Sequence, residues 1–143
     1  AALSECSGPL VVISADTAIS MMAVNAKQEL VGGVILPGPQ LSLSALVKNT
    51  AQLPQIDLAA KAPASILGKS TSSCLQNGFV LGTASLLDGL AERFCAELGP
   101  QTAFYATGNL PIPIREACCT PILYRETLIT DGLYRIWMKN KKG

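Results

Sequence analysis

The first third of the chain carries short runs of aliphatic residues that are typical of β-strands. Leu10–Ile13 is a continuous aliphatic run, which predicts a strand that is covered on both faces. Met21–Asn25 returns to apolar residues after a small and polar stretch, and Leu30–Leu36 is a third run. Polar turn residues separate these runs, so Leu10–Leu36 predicts two or three antiparallel strands joined by hairpins.

The segment Leu30–Pro54 places a strand, a turn and a helix in succession with almost no charge. Val34–Leu36 is too short for a helix and predicts a buried strand. A Pro-Gly pair, which is a strong turn signal, follows it. A helix that begins at Gln40 or Ser42 and ends near Asn49 comes next. An uncharged segment of this kind is expected in the core or in a subunit interface.

Thr71–Leu98 carries the longest helical pattern, and Ser70, Thr71 or Ser72 can cap its beginning. Large apolar residues at helical spacing predict its buried face: Leu75, Phe79, Leu86, Leu90 and Phe94. Small residues form a second stripe: Gly78, Gly82, Ser85 and Gly89. Because each interior glycine costs about 1 kcal/mol of helix propensity, this stripe predicts the close approach of another helix.

The remaining segments are less regular. Gln55–Lys69 is predicted to be a linker, and Arg115–Pro121 is predicted to be irregular. Thr102–Asn109 alternates and predicts a strand. Glu126–Lys139 predicts a final helix whose inner face contains Leu128, Ile129, Gly132, Leu133, Ile136 and Trp137. Ala1–Ser7 is typical of the last turn of a helix, and we expect that helix to begin upstream.

Composition narrows the possible chemistry. Hydrophobic residues make up 49% of the 143 residues and charged residues 15%, which indicates a single domain that buries one face against a partner. Histidine is absent, which excludes Ser-His-Asp and Cys-His nucleophile pairs and imidazole acid–base catalysis. The net charge of +1 gives no reason to expect nucleic acid or a membrane as partner.

Cysteine usage and hydropathy indicate the compartment. The five cysteines are odd in number and form no C-x-x-C pair, so neither a disulfide framework nor a zinc site is indicated. No apolar run approaches the roughly 20 residues that span a membrane. We therefore expect reduced thiols and a cytoplasmic location.

Five short motifs follow one another along the chain. They are V-I-S-A-D-T-A-I-S at Val12–Ser20, G-G-V-I-L-P-G at Gly32–Gly38, T-A-Q-L-P at Thr50–Pro54, G-K-S-T at Gly68–Thr71 and T-G-N at Thr107–Asn109. The G-K-S-T motif is not a P-loop, since it lacks the upstream glycine and follows no strand. In this combination the motifs resemble the C-terminal half of type III pantothenate kinases.

The resemblance implies a fold and a function. It implies an α/β, ribonuclease-H-like (actin-like ATPase) domain with a mixed sheet and packed helices, the second half of a two-domain kinase. Residues 1–143 would be this single C-terminal domain, and the N-terminal domain would be absent from this chain. Such kinases transfer the γ-phosphate of ATP to pantothenate in coenzyme A biosynthesis, with a monovalent cation (K⁺ or NH₄⁺) and Mg²⁺ as cofactors. The implied partners are pantothenate, ATP, a second copy in a homodimer, and a separate chain that supplies the N-terminal domain.

The resemblance also implies roles for particular residues. Thr17 matches the threonine of the family's D-x-G-T motif, which contacts ATP phosphate. Thr107 and Gly108 match the turn on the nucleotide side, and Thr71 matches a threonine that reaches the pantothenate of the partner subunit. Ser14 stands at the position of the acidic residue that holds a monovalent cation. No catalytic residue is assigned, because the family's catalytic aspartate belongs to the other domain.

The first motif, at Val12–Ser20, departs from the family's D-x-G-T pattern, and the departures leave alternatives open. It reads Ser14-Ala15-Asp16-Thr17, so Asp16 stands where a glycine would wrap the phosphate; it can bind Mg²⁺ or K⁺ from a shifted position, or be an ordinary turn aspartate. Thr71 can equally be a helix cap. Two functions are therefore open. The chain is half of a kinase and inactive by itself, or it is a catalytically inactive pseudokinase that acts as a structural or regulatory dimerisation subunit.

Other polar residues have simpler interpretations. Asp88 and Glu92 lie four residues apart on the long helix and are expected to form a solvated face. The adjacent Cys118 and Cys119 are expected to pack in a loop, because neighbouring cysteines rarely close a disulfide. Trp137 is expected in the core.

Overall fold

The computed structural model describes residues 1–50 and 52–141, and its centre is a five-stranded mixed sheet. The strand order is β3-β2-β1-β4-β5. β1 pairs antiparallel with β2 and β2 antiparallel with β3, whereas β1, β4 and β5 run parallel. The strands are β1 (Leu10–Ala15), β2 (Ala18–Val24), β3 (Leu30–Pro37), β4 (Ala103–Gly108) and β5 (Ile122–Tyr124). The predicted antiparallel strands of Leu10–Leu36 are confirmed.

Helices pack mainly against one face of this sheet. They are α1 (Ala2–Glu5), α2 (Pro39–Lys48), α3 (Thr71–Leu98), α4 (Ile112–Ala117) and α5 (Leu128–Lys141). The long helix has the predicted bounds, and Ser70 is its N-cap, with a reciprocal hydrogen-bonding box to Ser73. The prediction that Arg115–Pro121 is irregular was wrong over its first residues, because α4 ends at Ala117. The predicted linker has neither helix nor strand. In the Thr50–Pro54 motif, Ala51 lies outside the described residues.

The main core lies between the sheet and α3. Alternate residues of β1 face this core, which is completed by α3 and by the start of α4. A smaller cluster on the opposite face joins α1, the sheet and the first residue of α5. The main core is built from Val11, Ile13, Ile19, Met21, Val80, Leu87, Phe104 and Ile114, among others.

The buried face of α3 differs from the predicted one. Val80, Ala84, Leu87 and Ala91 are buried against the sheet, whereas Leu86 is exposed. Alanine positions let the helix axis approach the sheet closely, and the larger predicted residues flank that line of contact. The glycine stripe does not meet another helix of the same chain, because a Cβ added at Gly78, Gly82 or Gly89 would meet nothing within 4 Å.

Two strands also differ from expectation in their burial. The strand predicted at Val34–Leu36 is confirmed as part of β3, but β3 lies at the edge of the sheet and is largely exposed. Val34 and Leu36 are half-buried against the core and Ile35 is 76% exposed, so the prediction that this strand is buried was wrong for the isolated chain. The sequence of β4 predicts that buried and exposed residues alternate, yet its four central residues are all buried. The reason is that β4 lies between two parallel neighbours and has apolar clusters on both faces.

The final helix, α5, leaves most of its large apolar residues exposed. Leu128 is the buried residue of α5 and Gly132 is half-buried, whereas the large apolar residues of the predicted inner face are exposed: Ile129, Leu133, Ile136 and Trp137. Trp137 is 53% exposed, so its prediction as a core residue was wrong. Its ring instead lies beside Tyr134, with 5.9 Å between ring centroids. Within residues 1–50 and 52–141, none of the helices combines the length and apolar character required to cross a membrane.

Candidate functional site

Three chain turns meet at one end of the sheet. β1 and β4 are parallel and both end there, while the β1–β2 turn and the end of β3 reach the same edge. The first turn is Asp16–Thr17, the second is Pro37–Gly38 and the third is Gly108–Asn109. Ligands commonly bind at such an edge, because backbone groups leave the sheet there and are not used in strand pairing.

Backbone hydrogen bonds hold the three turns together. The N–H of Gly38 donates to the carbonyl oxygen of Thr17 over 2.8 Å, and the N–H of Asn109 donates to that of Ala15 over 2.6 Å. The side-chain amide of Asn109 also donates to Oδ1 of Asp16 over 3.4 Å. The turns are therefore one connected unit rather than three independent loops.

Two glycines make this close approach possible. A Cβ at Gly38 would collide with the carbonyl oxygen of Asp16 and lie 2.7 Å from that of Thr17. Gly108 has φ +87°, which disfavours other residues, and a Cβ there would collide with the carbonyl of Ala15. These positions explain the last glycine of the G-G-V-I-L-P-G motif and the glycine of the T-G-N motif in physical terms.

A groove of about 360 Å³ opens over these turns and reaches the beginning of α2. Gly38 is the N-cap of α2 and offers no side-chain hydrogen bond, and Pro39 occupies the first turn of the helix. The first N–H groups of a helix have no partner within it, and the helix dipole makes this end partly positive. The groove can therefore accept an anion. Its lining residues are Asp16, Thr17, Pro39, Gln40, Leu41, Ser44, Asn109 and Pro111.

The structure brings together some of the predicted site residues. Asp16 and Thr17 are exposed and line the groove, and Gly108 forms the turn beside them. Thr107 lies in the strand below, where its buried hydroxyl donates to the carbonyl of Glu126 over 3.3 Å. Of this predicted pair, Gly108 is thus the residue that borders the groove through its turn.

The other two predicted residues lie apart from the groove lining. Ser14 is half-buried in β1, in register with Ser20 of β2 and Thr107 of β4. Thr71 is exposed in the first turn of α3, and the lining of the groove does not include it. Its proposed role in binding pantothenate stays a prediction.

Sequence reasoning missed several lining residues. Gln40, Ser44 and Pro111 border the groove, yet no motif assigned them a role. Gln40 is one of the two predicted helix starts. The signal for its position is the Pro-Gly-Pro sequence at Pro37–Pro39, since proline is favoured at the first helical position. For Ser44 and Pro111 the sequence carries no comparable signal.

The described residues contain few groups that could hold a metal ion. Within residues 1–50 and 52–141, no cluster of three or more His, Cys, Asp or Glu side chains is present. The five cysteine thiols are not joined in disulfides. Asp16 is the carboxylate that borders the groove.

Asp88 has a structural role outside the groove, so the prediction of a solvated face was wrong for it. Its two carboxylate oxygens each accept a 2.8 Å hydrogen bond, from the backbone N–H groups of Cys119 and Thr120. Burial acts to raise the pKa of Asp88, but these hydrogen bonds together outweigh it, and the pKa lies below its usual value. Asp88 thus fixes the loop between α4 and β5.

The same loop contains a buried thiol. Burial, followed by the negative charge of Asp88, raises the pKa of Cys118 to about 12. The Cys118 thiol donates to the carbonyl of Ile114 and packs against the main core. The expectation of loop packing is confirmed for Cys118 and is wrong for the exposed Cys119. Cys118 is unsuited to act as a nucleophile.

Two further surfaces are open. One is a groove of about 220 Å³ between the start of α2 and the glycine face of α3, lined by Leu36, Pro37, Pro39, Ser42, Gly78, Phe79, Gly82, Thr83 and Leu86. The other is a cavity of about 900 Å³ between α1 and α5, which we call the α1/α5 groove. It is lined by Ala1, Leu3, Ser4, Gln28, Asp131, Gly132, Tyr134, Arg135, Ile136, Met138 and Lys139.

The fold resembles a solved structure. A Baf family protein of Campylobacter jejuni superposes with a TM-score of 0.67 at 20% sequence identity, over 99% of this chain and 63% of that one. At this identity the likeness concerns the fold.

Sequence comparisons place the chain in a family. A type III pantothenate kinase of Koribacter versatilis is 38% identical over 144 residues, which span 100% of this chain and 52% of that protein. One from Solibacter usitatus is 35% identical over 133 residues, 93% of this chain and 50% of that protein. The chain thus spans about half the length of these curated relatives. A family model described as type III pantothenate kinase matches residues 1–93. The chain therefore belongs to the type III pantothenate kinase family.

Proposed function

We propose that this chain supplies the nucleotide-binding half of a pantothenate kinase, which transfers phosphate from ATP to pantothenate. The observation that carries the proposal is the groove in which Asp16–Thr17, Gly108–Asn109 and the start of α2 meet. Phosphoryl transfer depends on positioning and charge stabilisation more than on covalent catalysis. A site made of backbone N–H groups, a hydroxyl and a helix N-terminus suits that demand.

The sheet topology supports the finer fold assignment. In this proposal the chain is a ribonuclease-H-like domain of the actin-like ATPase type. A meander of three antiparallel strands is followed by two parallel strands, with the order β3-β2-β1-β4-β5. The connections from β3 to β4 and from β4 to β5 contain helices, as parallel pairing requires.

The predicted residues at and beneath the groove each have a proposed role. The Thr17 hydroxyl donates to a phosphate oxygen, beside the N–H groups at the beginning of α2. The Gly108–Asn109 turn contacts the nucleotide. Thr107, which precedes the turn, stabilises it by the hydrogen bond from its hydroxyl to the carbonyl oxygen of Glu126. Asp16 faces the phosphates and needs a cation between them, because a carboxylate repels a bare triphosphate.

The two proposed cations fit the described residues to different degrees. Mg²⁺ is often held by one or two carboxylates together with phosphate oxygens, so Asp16 can serve as its protein ligand. The bound ion would neutralise phosphate charge. A monovalent cation at Ser14 fits less well, since Ser14 offers a neutral hydroxyl within a strand and its register neighbours are Ser20 and Thr107. No role for K⁺ or NH₄⁺ is therefore derived from Ser14.

A homodimer is part of the proposal. The glycine face of α3 is open, and the groove beside Gly78 and Gly82 is also lined by Leu36 and Pro37 at the end of β3. Glycines let backbones of two copies approach closely, which would compensate for their cost in helix propensity. Pairing along this face would carry Thr71, at the start of α3, towards the pantothenate of the partner subunit.

A second domain is the other proposed partner. The relatives are about twice as long as this chain, so about half of each relative lies outside the matched region and can form a further domain. The α1/α5 groove offers an apolar seat, with Ile136 and Trp137 of α5 both more than half exposed. We place the second domain of the kinase there, supplied as a separate chain or as part of a longer one.

One observation favours an alternative function. Asp16 occupies the turn nearest the proposed phosphates, and its carboxylate would weaken nucleotide binding unless a cation is present. A pseudokinase that retains the dimer surface and binds no nucleotide would tolerate this residue. The alternative proposal is therefore a structural or regulatory dimerisation subunit.

Calorimetric titration separates the two functions. ATP and ADP are titrated into the purified chain with and without Mg²⁺, and into Thr17→Val and Asp16→Gly variants. The kinase proposal predicts Mg²⁺-dependent binding that Thr17→Val weakens about tenfold, the effect of losing one hydrogen bond to a charged group. It also predicts that Asp16→Gly reduces the Mg²⁺ dependence. Absence of binding by the wild-type chain, together with tight dimerisation in ultracentrifugation, would favour the pseudokinase.

A further inference from the structure

Tyr124 reaches the nucleotide side of the groove from a strand that does not line it. Its hydroxyl donates to the carbonyl oxygen of Gly108 over 2.6 Å. Tyr124 lies in register with Ala106 of β4, so its side chain extends along the sheet to the turn two residues further on. The next backbone N–H, that of Arg125, donates to the carbonyl of Ala106 and holds β5 against β4 at this point.

The Tyr124 ring is itself held in place. The guanidinium of Arg115 lies 3.9 Å from the ring centroid, a distance typical of a cation–π contact. Arg115 belongs to α4, which begins directly after Pro111 of the groove lining. Its buried Nε has no hydrogen-bond partner among the described residues, so the ring is the contact that orients the guanidinium.

The Gly108 turn needs such a restraint. A glycine at φ +87° has many other accessible conformations, and its selection here depends on neighbouring contacts. Tyr124 holds the Gly108 carbonyl, while the next residue, Asn109, donates its N–H to Ala15 and its side-chain amide to Asp16. Fixing this carbonyl therefore fixes the orientation of Asn109 in the groove.

We infer that Tyr124, backed by Arg115, is a positioning residue that holds the Gly108–Asn109 turn in its ligand-binding shape. The inference rests on the proposed function, because it assigns Tyr124 to the nucleotide side of that same groove. The tyrosine does not contact the nucleotide. It restricts the Gly108–Asn109 turn, which contacts the nucleotide. The conformational entropy lost when the nucleotide orders this turn is therefore smaller.

The test compares Tyr124→Phe with Thr130→Val, which also removes a hydroxyl that donates to a backbone carbonyl, at an exposed position of α5 that lines neither groove. Two quantities are measured well below the unfolding temperature: the Kd for Mg²⁺-ATP, and the hydrogen-exchange rate of the Asn109 amide by NMR. We expect Tyr124→Phe to raise both about three- to tenfold, the effect of one hydrogen bond. Thr130→Val should leave both unchanged.

The two readouts separate failure of this inference from failure of the proposed function. If the wild-type chain binds no ATP, the proposed function fails, and faster exchange at Asn109 in Tyr124→Phe still supports the restraint on the turn. A purely structural role for Tyr124 would lower the unfolding midpoint without changing the Kd. Unchanged exchange at Asn109 in Tyr124→Phe would overturn the inference, as would an unchanged Kd in a chain that binds ATP.

Discussion

Gly38→Ala tests whether the three turns depend on close backbone contact. Gly38 has φ −65°, which alanine adopts without strain, so the substitution perturbs space rather than backbone conformation. The added Cβ would lie 2.7 Å from the carbonyl oxygen of Thr17 and closer still to that of Asp16. Ordinary contact begins at 3.4 Å, so the Asp16–Thr17 turn must retreat by about 0.7 Å or more.

The expected magnitude follows from these contacts. Overpacking of a tight site costs about 1–3 kcal/mol. Retreat of the turn also weakens the Gly38 to Thr17 hydrogen bond, which contributes about 1 kcal/mol. Alanine returns about 0.4–1 kcal/mol by restricting the unfolded chain. We therefore expect a net loss of about 2 kcal/mol in the free energy of unfolding.

Urea unfolding followed by circular dichroism measures this loss. Gly8→Ala is the matched control, because a Cβ at Gly8 would meet nothing within 4 Å. It should leave stability within about 0.5 kcal/mol of wild type or raise it slightly. If Gly38→Ala is as stable as Gly8→Ala, the turns do not pack as described and the geometry assigned to the groove is wrong.

Three further predictions concern features away from the groove. Hydrogen bonding lowers the pKa of Asp88 in the folded state, so the carboxylate stabilises the fold fully above the unfolded-state pKa of about 3.9, and this stabilisation is lost as pH falls through the lower folded-state pKa. Asp88→Asn should lower the free energy of unfolding by about 1–3 kcal/mol at pH 7 and make stability less sensitive to acid. With a pKa of about 12, Cys118 should resist iodoacetamide at pH 8 while the exposed Cys119 is alkylated, as read by peptide mass spectrometry; equal labelling would contradict the burial of Cys118. Trp137 is the single tryptophan, so acrylamide quenching of its fluorescence should be strong in the chain alone and fall when the N-terminal half of the Koribacter versatilis relative is added; unchanged quenching would argue against docking at α5.

Local patterns predicted most secondary structure, because they depend on near neighbours. The Leu10–Leu36 meander follows from aliphatic runs broken by turn residues, and the 28-residue α3 follows from Ser70 and the glycine that ends it. The face that α3 buries was not predicted correctly. That face depends on which side chains let the helix approach the sheet, and small residues such as Ala84 and Ala91 outweighed the large ones.

Burial of the edge elements could not be read from hydrophobicity. Ile35 on β3 and Trp137 on α5 are apolar and exposed in this chain. An apolar residue predicts that some surface will cover it, but the sequence does not say whether that surface belongs to the same chain. The interface interpretation of Leu30–Pro54 therefore remains a prediction.

The residues that border the candidate groove were predicted in part, and their roles remain predictions. The turn residues Asp16 and Thr17 and the conformation of Gly108 agree with their motifs, since turn chemistry is local. The position of Ser44 in the groove lining and the hydrogen bond from Tyr124 to Gly108 depend on elements that are distant in sequence, and no local pattern indicates them. The buried position of the Thr107 hydroxyl likewise depends on Glu126, nineteen residues further on.

The most direct test of the account is an NMR titration of the ¹⁵N-labelled chain with Mg²⁺-ATP. The account predicts that the largest amide shifts occur at Thr17, at Gln40 and Leu41 of the first turn of α2, and at Asn109, which border one groove. Shifts confined to the α1/α5 groove, or no shifts at ATP concentrations up to several millimolar, would contradict the claim that these turns form a nucleotide site.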